Sequence, residues 1–132
     1  MKKLLISCIL TLAGFITHAQ EVYNTYEAGA TTYSDEFNKW IYDKPIPVNL
    51  TFLLQHKVLI VSDEKRSTYV LGDTFQNDMQ RDLGAFGWYA VDEDGTQCAV
   101  KIVIHRSNPV RVEIEVIYGH SGFYYNGTLE TK

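Results

Sequence analysis

Three carboxylates, a glycine and a cysteine lie close together in the segment GWYAVDEDGTQCAV, residues 87–100. Clustered carboxylate oxygens, such as those of Asp92–Asp94, are ligands that calcium prefers, and neighbouring carboxylates can also act as an acid and a base. An EF-hand loop in this register would need an acid at position 90 and a bidentate glutamate at position 101. These positions hold Ala90 and Lys101, so the segment does not fit this calcium motif.

The residues Asp92–Gly95 are also typical of a hairpin turn. A type I turn favours Asp first and Gly fourth, and a left-handed glycine makes it a three-residue loop closed by a G1 bulge. In this register Asp92 faces Thr96, and the apolar cross-strand pairs are Ala90 with Cys98, Trp88 with Val100 and Phe86 with Ile102. A buried face requires such pairs, so we interpret the carboxylates as turn residues that fix the strand register.

The other chemistry-bearing side chains form no motif. The histidines after residue 19 are His56, His105 and His120, and no two of them have the spacing typical of metal ligands. There is no Gly-x-Ser-x-Gly elbow and no phosphate loop, and Glu113 and Glu115 lie on the predicted solvent face of one strand. Cys98 is expected to be buried, which keeps its pKa high and the thiol inert. The sequence therefore predicts a protein that is not an enzyme and has no metal or other cofactor.

Period-two alternation indicates the elements that position these residues. Residues 110–116, VRVEIEV, alternate apolar and charged side chains, as in a strand with one buried face. Residues 98–104 and 48–54 carry similar faces. Short turns between consecutive strands predict an all-β fold, an antiparallel up-and-down meander that forms a small barrel or strongly curled sheet of about seven or eight strands. One or two short helical turns are expected, at 74–83 and 35–40.

The pairing can be extended to the later strands. A loop of residues 105–109 would pair Ile104 with Val110, and a turn at 119–122 would pair Tyr118 with Phe123. The side chains that share the predicted inner face are Phe86, Trp88, Ala90, Cys98, Val100, Ile102, Ile104, Val110, Val112, Ile114, Val116, Tyr118, Phe123 and Tyr125.

Residues 1–19 have the pattern of a bacterial export signal. A basic start at residues 1–3 precedes an apolar run, and Thr17 and Ala19 occupy the −3 and −1 positions of a signal-peptidase site. We expect cleavage after Ala19, which leaves residues 20–132 as a single β domain in the periplasm or outside the cell. No other segment is apolar over the length of a membrane span.

The net charge argues against two kinds of partner, and the cysteine count excludes an internal disulfide in the predicted domain. The formal net charge of the chain is −4, and removal of Lys2 and Lys3 would make it more negative. Nucleic acids and anionic membrane surfaces reward positive charge, so neither is an expected partner. Cys98 is the only cysteine after residue 19, so the predicted domain cannot form an internal disulfide.

The segment Tyr89-x-Val91-Asp92-Glu93-Asp94-Gly95-x-x-Cys98 follows an apolar hairpin at 50–61 and precedes an Ile/Val strand and a closing Tyr strand. This order resembles small secreted bacterial β-rich proteins of uncharacterised function. The meander over residues 47–129 is similar to lipocalin-like (calycin) barrels. The resemblance implies a binding scaffold and names no ligand.

Aromatic side chains give the one positive indication of a binding site. The chain has nine tyrosines, and amphipathic rings at a barrel mouth suit a small, partly polar ligand. The candidate ligand-binding residues are Trp88, Tyr118, Tyr125, Phe123 and Phe86. In the simpler interpretation these rings only fill a small core. We therefore expect a secreted or periplasmic, non-catalytic binding module for a small, partly apolar ligand. The alternative is a surface-binding interaction protein, such as an inhibitor of an extracellular enzyme, that contacts its partner through residues 72–84.

Overall fold

The computed structural model describes residues 20–62, 67–79, 83–107 and 109–130. The predicted export signal, residues 1–19, lies outside the described residues. The strands in the described part of the chain are β1 (Gln20–Ser34), β2 (Lys39–Tyr42), β3 (Ile46–Gln55), β4 (Val58–Ser62), β5 (Ser67–Met79), β6 (Leu83–Asp92), β7 (Gln97–His105), β8 (Arg111–Tyr118) and β9 (Ser121–Leu129). Within these ranges there is no helix, and so none that is long and apolar enough to span a membrane.

The strands form a closed antiparallel barrel. Each strand from β3 to β8 pairs with the next one in the chain, β1 pairs with β3, and β9 pairs with β1 to close the ring. Strand β2 is additional and pairs only with residues 31–34 of β1. The predicted all-β up-and-down fold is confirmed. We call the end with the turns at 93–96 and 119–120 the upper end, and the end with Gln20 and Leu129 the lower end.

The first predicted hairpin register is confirmed. Ala90 pairs with Cys98, and the other two predicted pairs follow in the same ladder. The Asp92 amide donates to the Thr96 carbonyl over 2.9 Å, and Gly95 has a φ of 84°. A left-handed residue at this position is what the three-residue loop requires, so the turn chemistry accounts for Asp92 and Gly95.

Both later registers are wrong by two residues. Ile104 pairs with Val112 instead of Val110, and Tyr118 pairs with Ser121 instead of Phe123. The second error arises because the turn has only two residues, Gly119 and His120, with Gly119 at a φ of 64°. Two-residue loops with a left-handed glycine are among the commonest hairpin connections. A shift of two keeps each side chain on its face, so the predicted inner face persists.

The described residues form neither of the predicted helical turns, and residues 80–82 of the range 74–83 lie outside the described residues. Residues 74–79 continue strand β5, which is irregular between Leu71 and Gln76 but still pairs with β6 as far as Met79. Residues 35–38 form a turn that leads into β2. In both places ladder hydrogen bonds satisfy the neighbouring backbone, whereas one isolated helical turn would bear the cost of nucleation alone.

The barrel centre is filled by side chains. Seven of the strands contribute buried apolar side chains to one core cluster. Its members are Tyr23, Phe52, Leu59, Val61, Leu71, Ala90, Cys98, Val100, Ile102, Val112, Ile114 and Val116. A barrel of eight strands is just wide enough for its interior to be filled in this way. Any ligand must therefore be sought at an end of the barrel or on its outer surface.

Candidate functional site

The five predicted ligand residues do not share one site. Phe86 and Trp88 stack on β6 with ring centroids 6.3 Å apart. Tyr125 lies against the fully buried Phe52, with centroids 4.8 Å apart, and is part of the packed core. Tyr118 and the exposed Phe123 lie on strands that meet at the upper end. Only Phe86 lines the apolar cavity at the lower end.

That cavity, which we call the lower cup, is formed where the lower parts of β1, β5, β6, β7 and β9 meet the connection between β7 and β8. Its volume is about 440 Å³. Phe86 lies over Gly84, where a Cβ atom would come within 3.1 Å of the Phe86 ring. The residues that line the lower cup are Glu21, Met79, Gly84, Phe86, Ile104, Arg106, Ser107, Val110 and Leu129. The floor is the packed core, because Ile104 and Leu129 also contact the core cluster.

The lower cup has a polar edge with two opposite charges. The Glu21 carboxylate accepts a hydrogen bond of 2.5 Å from the Tyr23 hydroxyl, and burial together with this carboxylate raises the pKa of Tyr23. Arg106 is exposed and has no carboxylate within ion-pair distance in the described ranges, where His105 and Glu113 form the one ion pair. An apolar wall with a few polar groups at its edge is the usual composition of a small-molecule site.

No family model, no curated protein and no solved structure matches this chain. The barrel is consistent with the lipocalin-like meander that the sequence resembles, and the lower cup has to be interpreted from its own residues.

The upper end carries a hydrogen-bonded network. The Tyr118 hydroxyl donates to Asp92 Oδ2 over 2.9 Å, while Asp92 Oδ1 accepts the backbone amides of Thr96 at 2.9 Å and Asp94 at 3.0 Å. The Thr96 amide, followed by the Tyr118 hydroxyl and the Asp94 amide, lowers the pKa of Asp92. Because both carboxylate oxygens and the Tyr118 hydroxyl bond within the protein, this network stabilises the turn and offers little to a ligand.

Stability should depend on the ionisation of Asp92. A carboxyl whose pKa is lower in the folded state stabilises the fold above its unfolded pKa, here 3.8, and loses this effect as the pH falls through the folded value. In Asp92→Asn, urea unfolding should therefore show a weaker loss of stability below about pH 4 than the wild type. Asp94→Asn is the control, since the Asp94 side chain accepts none of these hydrogen bonds. Equal acid sensitivity in wild type and Asp92→Asn would contradict the assignment.

The other candidate groups give no assembled centre. No three metal-ligating side chains lie together in the part of the chain that the structure describes. Cys98 is buried, and burial raises the pKa of its thiol, as the sequence predicts. His105 contacts Glu113 on the outer surface.

Most of the lower cup was missed by the sequence analysis. Ile104 and Val110 were placed on the inner face, but their position at an open end was not recognised. Glu21 and Met79 lie on strands whose inner faces were not assigned, Leu129 lies beyond Tyr125, the last inner-face residue assigned on β9, and Arg106 lies in a connection. The signal that could have found these residues is their position along the strands. Each lies at or near a strand end that borders a connection on the lower side.

Proposed function

We propose that this protein is a non-catalytic binding module that takes a small, partly apolar ligand in the lower cup. The observation that carries the proposal is an apolar cavity of about 440 Å³ at one end of an otherwise filled barrel. This volume lies in the range of roughly 300–1,000 Å³ that small-molecule sites have. The export pattern of residues 1–19 supports a location in the periplasm or outside the cell.

The two charged groups at the edge indicate the ligand's polar end. Glu21 is engaged by the Tyr23 hydroxyl, whereas the Arg106 guanidinium has no ionic partner among the residues described. A guanidinium binds carboxylates with directed hydrogen bonds. We therefore propose a carboxylate with an aliphatic chain, whose chain lies on Phe86, Ile104 and Leu129 and whose head reaches Arg106.

Affinity should rise with the length of the aliphatic chain. Each methylene that enters the lower cup contributes about 0.8 kcal/mol, which is about fourfold in affinity, until the cavity is full. The measurement is titration with hexanoate, octanoate and decanoate, followed by the fluorescence of Trp88. Trp40→Phe provides the background, because it leaves Trp88, which stacks on Phe86, as the only tryptophan. Absence of binding at every chain length would overturn the proposed function.

The head group should respond to Arg106 and not to Arg111. Arg106→Gln is expected to weaken decanoate binding about twofold to fivefold, as for other exposed ion pairs, and to leave decan-1-ol binding unchanged. Arg111→Gln is the matched control, since Arg111 is also exposed but lines the outer surface of β8. Equal losses in the two variants would contradict the placement of the carboxylate at Arg106.

A second candidate is the surface-binding interaction protein, in which residues 72–84 contact an extracellular enzyme. It is supported by the exposure of Phe75 and Met79 on the irregular half of β5. Met79 and Gly84 also line the lower cup, so part of this segment serves the first proposal as well. Complex formation with an enzyme that survives Arg106→Gln and decanoate would favour this second candidate.

A further inference from the structure

The outer surface of the barrel is divided into a charged side and an apolar side. On β8 the outward positions hold Arg111, Glu113 and Glu115. On β4 they hold Val58 and Ile60, which pair with Val70 and Thr68 of β5. On the other side of β5, Val70 pairs with Val91 of β6. Soluble barrels usually place polar residues at outward positions, so this run of aliphatic side chains calls for a covering partner.

We call this surface the outer apolar face and define it by Val58, Ile60, Val70, Phe75, Tyr89 and Val91. Its most prominent side chains are largely solvent-exposed: Val70 at 55%, Phe75 at 43%, Tyr89 at 61% and Val91 at 40%. Phe75 lies against Tyr89, with ring centroids 5.1 Å apart, and its ring covers Gly87. The two rings support each other, so together they form an ordered projection from the surface.

A depression lies directly beside this projection. The pairing of β5 with β6 is irregular between Leu71 and Thr74, and there a cavity of about 430 Å³ opens. Its lining includes Val70, Gly72, Tyr89 and Val91, and it reaches as far as Cys98. The same face therefore presents an aromatic projection and a depression large enough to receive one.

We infer that the outer apolar face joins two copies of this chain in a two-fold symmetric dimer, in which Tyr89 of each copy enters the depression of the other. A two-fold interface brings the same patch of both subunits together, so the patch must complement itself. An adjacent ring and depression satisfy this requirement. Two such aromatic anchors would form the centre of the interface.

The distribution of charge favours a second copy over another partner. The chain has a formal net charge of −4, so most surfaces of two copies would repel each other. The outward positions of β4, β6 and residues 68–70 of β5 hold no charged residue, so the centre of this face carries no charge that would repel a second copy, while Asp73 and Lys101 lie at its border. A strongly charged partner would find no opposite charge to pair with at the centre of the outer apolar face.

The area suits a weak dimer that depends on concentration. From the exposed fractions, and from side-chain areas of about 150–250 Å², the four prominent residues offer roughly 350 Å² per copy. Two copies would bury about 700 Å² of these groups, and the half-exposed Val58 and Ile60 add to this area, which places the interface among the weak and transient ones below about 1,200 Å².

Sedimentation velocity of the full chain tests this dimer directly. The wild type should sediment with twice the chain mass of 15.1 kDa at micromolar concentration and dissociate on dilution. Val70→Glu should raise the dissociation constant at least about 100-fold, because it buries unpaired like charges on both sides of the axis. Ile46→Glu is the matched control: Ile46 is also exposed, at 63%, but begins β3 outside the face, so this variant should remain dimeric.

A second measurement on the wild type is independent of how well the variants fold. Nitration of Tyr89 by tetranitromethane, followed by peptide mass spectrometry, should slow as the concentration rises through the dissociation constant, since the ring of Tyr89, which is 61% exposed in the single chain, is then buried in the other copy. A wild type that stays monomeric, or that binds vesicles of neutral phosphatidylcholine through this face instead, would overturn the dimer. So would a Val70→Glu variant that remains dimeric.

Discussion

Replacing Phe52 by alanine is expected to lower the free energy of unfolding by about 3–5 kcal/mol. Phe52 is fully buried in the middle of β3, where it pairs with Tyr23 of β1 and Val61 of β4. Its ring also packs on Tyr125 of β9, the strand on the other side of β1. The large-to-small substitution removes the buried ring and leaves a cavity that four strands surround, so the neighbours cannot easily close it.

This loss is a large part of the 5–15 kcal/mol that stabilises an ordinary domain. Urea unfolding of wild type and Phe52→Ala measures it, with the m-value as a check that the same surface becomes exposed. Phe37→Ala is the control, since it removes the same ring from the exposed turn between β1 and β2. A loss of less than about 1 kcal/mol for Phe52→Ala would mean that the ring does not hold the barrel walls together.

The fold was largely predictable because its strands each bury one face. Alternation such as that of residues 110–116 specifies which side chains point inward, and it does so whatever the exact pairing. The first hairpin register was also predictable, since Asp92 and Gly95 define the turn type. The later registers depended on the choice of loop length at His105–Pro109 and Gly119–Gly122, where several loops keep the same faces.

The lower cup was less predictable because it depends on how strand ends meet in three dimensions. Trp88 and Tyr125 satisfy every sequence criterion for a mouth residue, yet the barrel packs both against its core. Arg106 and Glu21 line the same cavity although they are far apart in the sequence, since one lies in the connection between β7 and β8 and the other near the beginning of β1. Local pattern gives the side of the sheet on which a residue lies, but not its height in the barrel.

The outer apolar face, by contrast, has a signal in the sequence. Val58-Leu59-Ile60-Val61 is apolar at four consecutive positions, and Tyr89-Ala90-Val91 interrupts the alternation of β6 in the same way. In a strand with one wet face, every second residue should be polar. Consecutive apolar residues therefore indicate a strand covered on both sides, and here the barrel covers only one of them.

Replacing Gly127 by alanine is expected to lower the free energy of unfolding by about 3 kcal/mol, the upper part of the usual range for overpacking. Gly127 lies in β9, between Val112 of β8 and Thr25 of β1, at an irregularity in the pairing that closes the barrel. A Cβ atom there would collide with the Asn24 carbonyl oxygen and lie 2.7 Å from Thr25 Cα. Both obstacles are backbone atoms, so the strands themselves would have to separate.

Gly95→Asn is the control for the loss of glycine in general. Gly95 has a φ of 84° but no atom within 4 Å of an added Cβ, and asparagine tolerates this backbone region, so the change should cost less than about 1 kcal/mol. Hydrogen exchange distinguishes local from global damage: in Gly127→Ala, amides of β1 and β9 should lose more protection than those of β6 and β7. An equal loss of protection in all four strands would contradict a specific weakening of the pairing between β1 and β9. Gly122 is also confined by backbone, but by the Val116 carbonyl oxygen of β8, and Gly29 lies under the Tyr124 ring. Of these three glycines, Gly127 is the one whose obstacle is the backbone of β1, so close backbone approach at Gly127 is what its substitution tests at the pairing that closes the barrel.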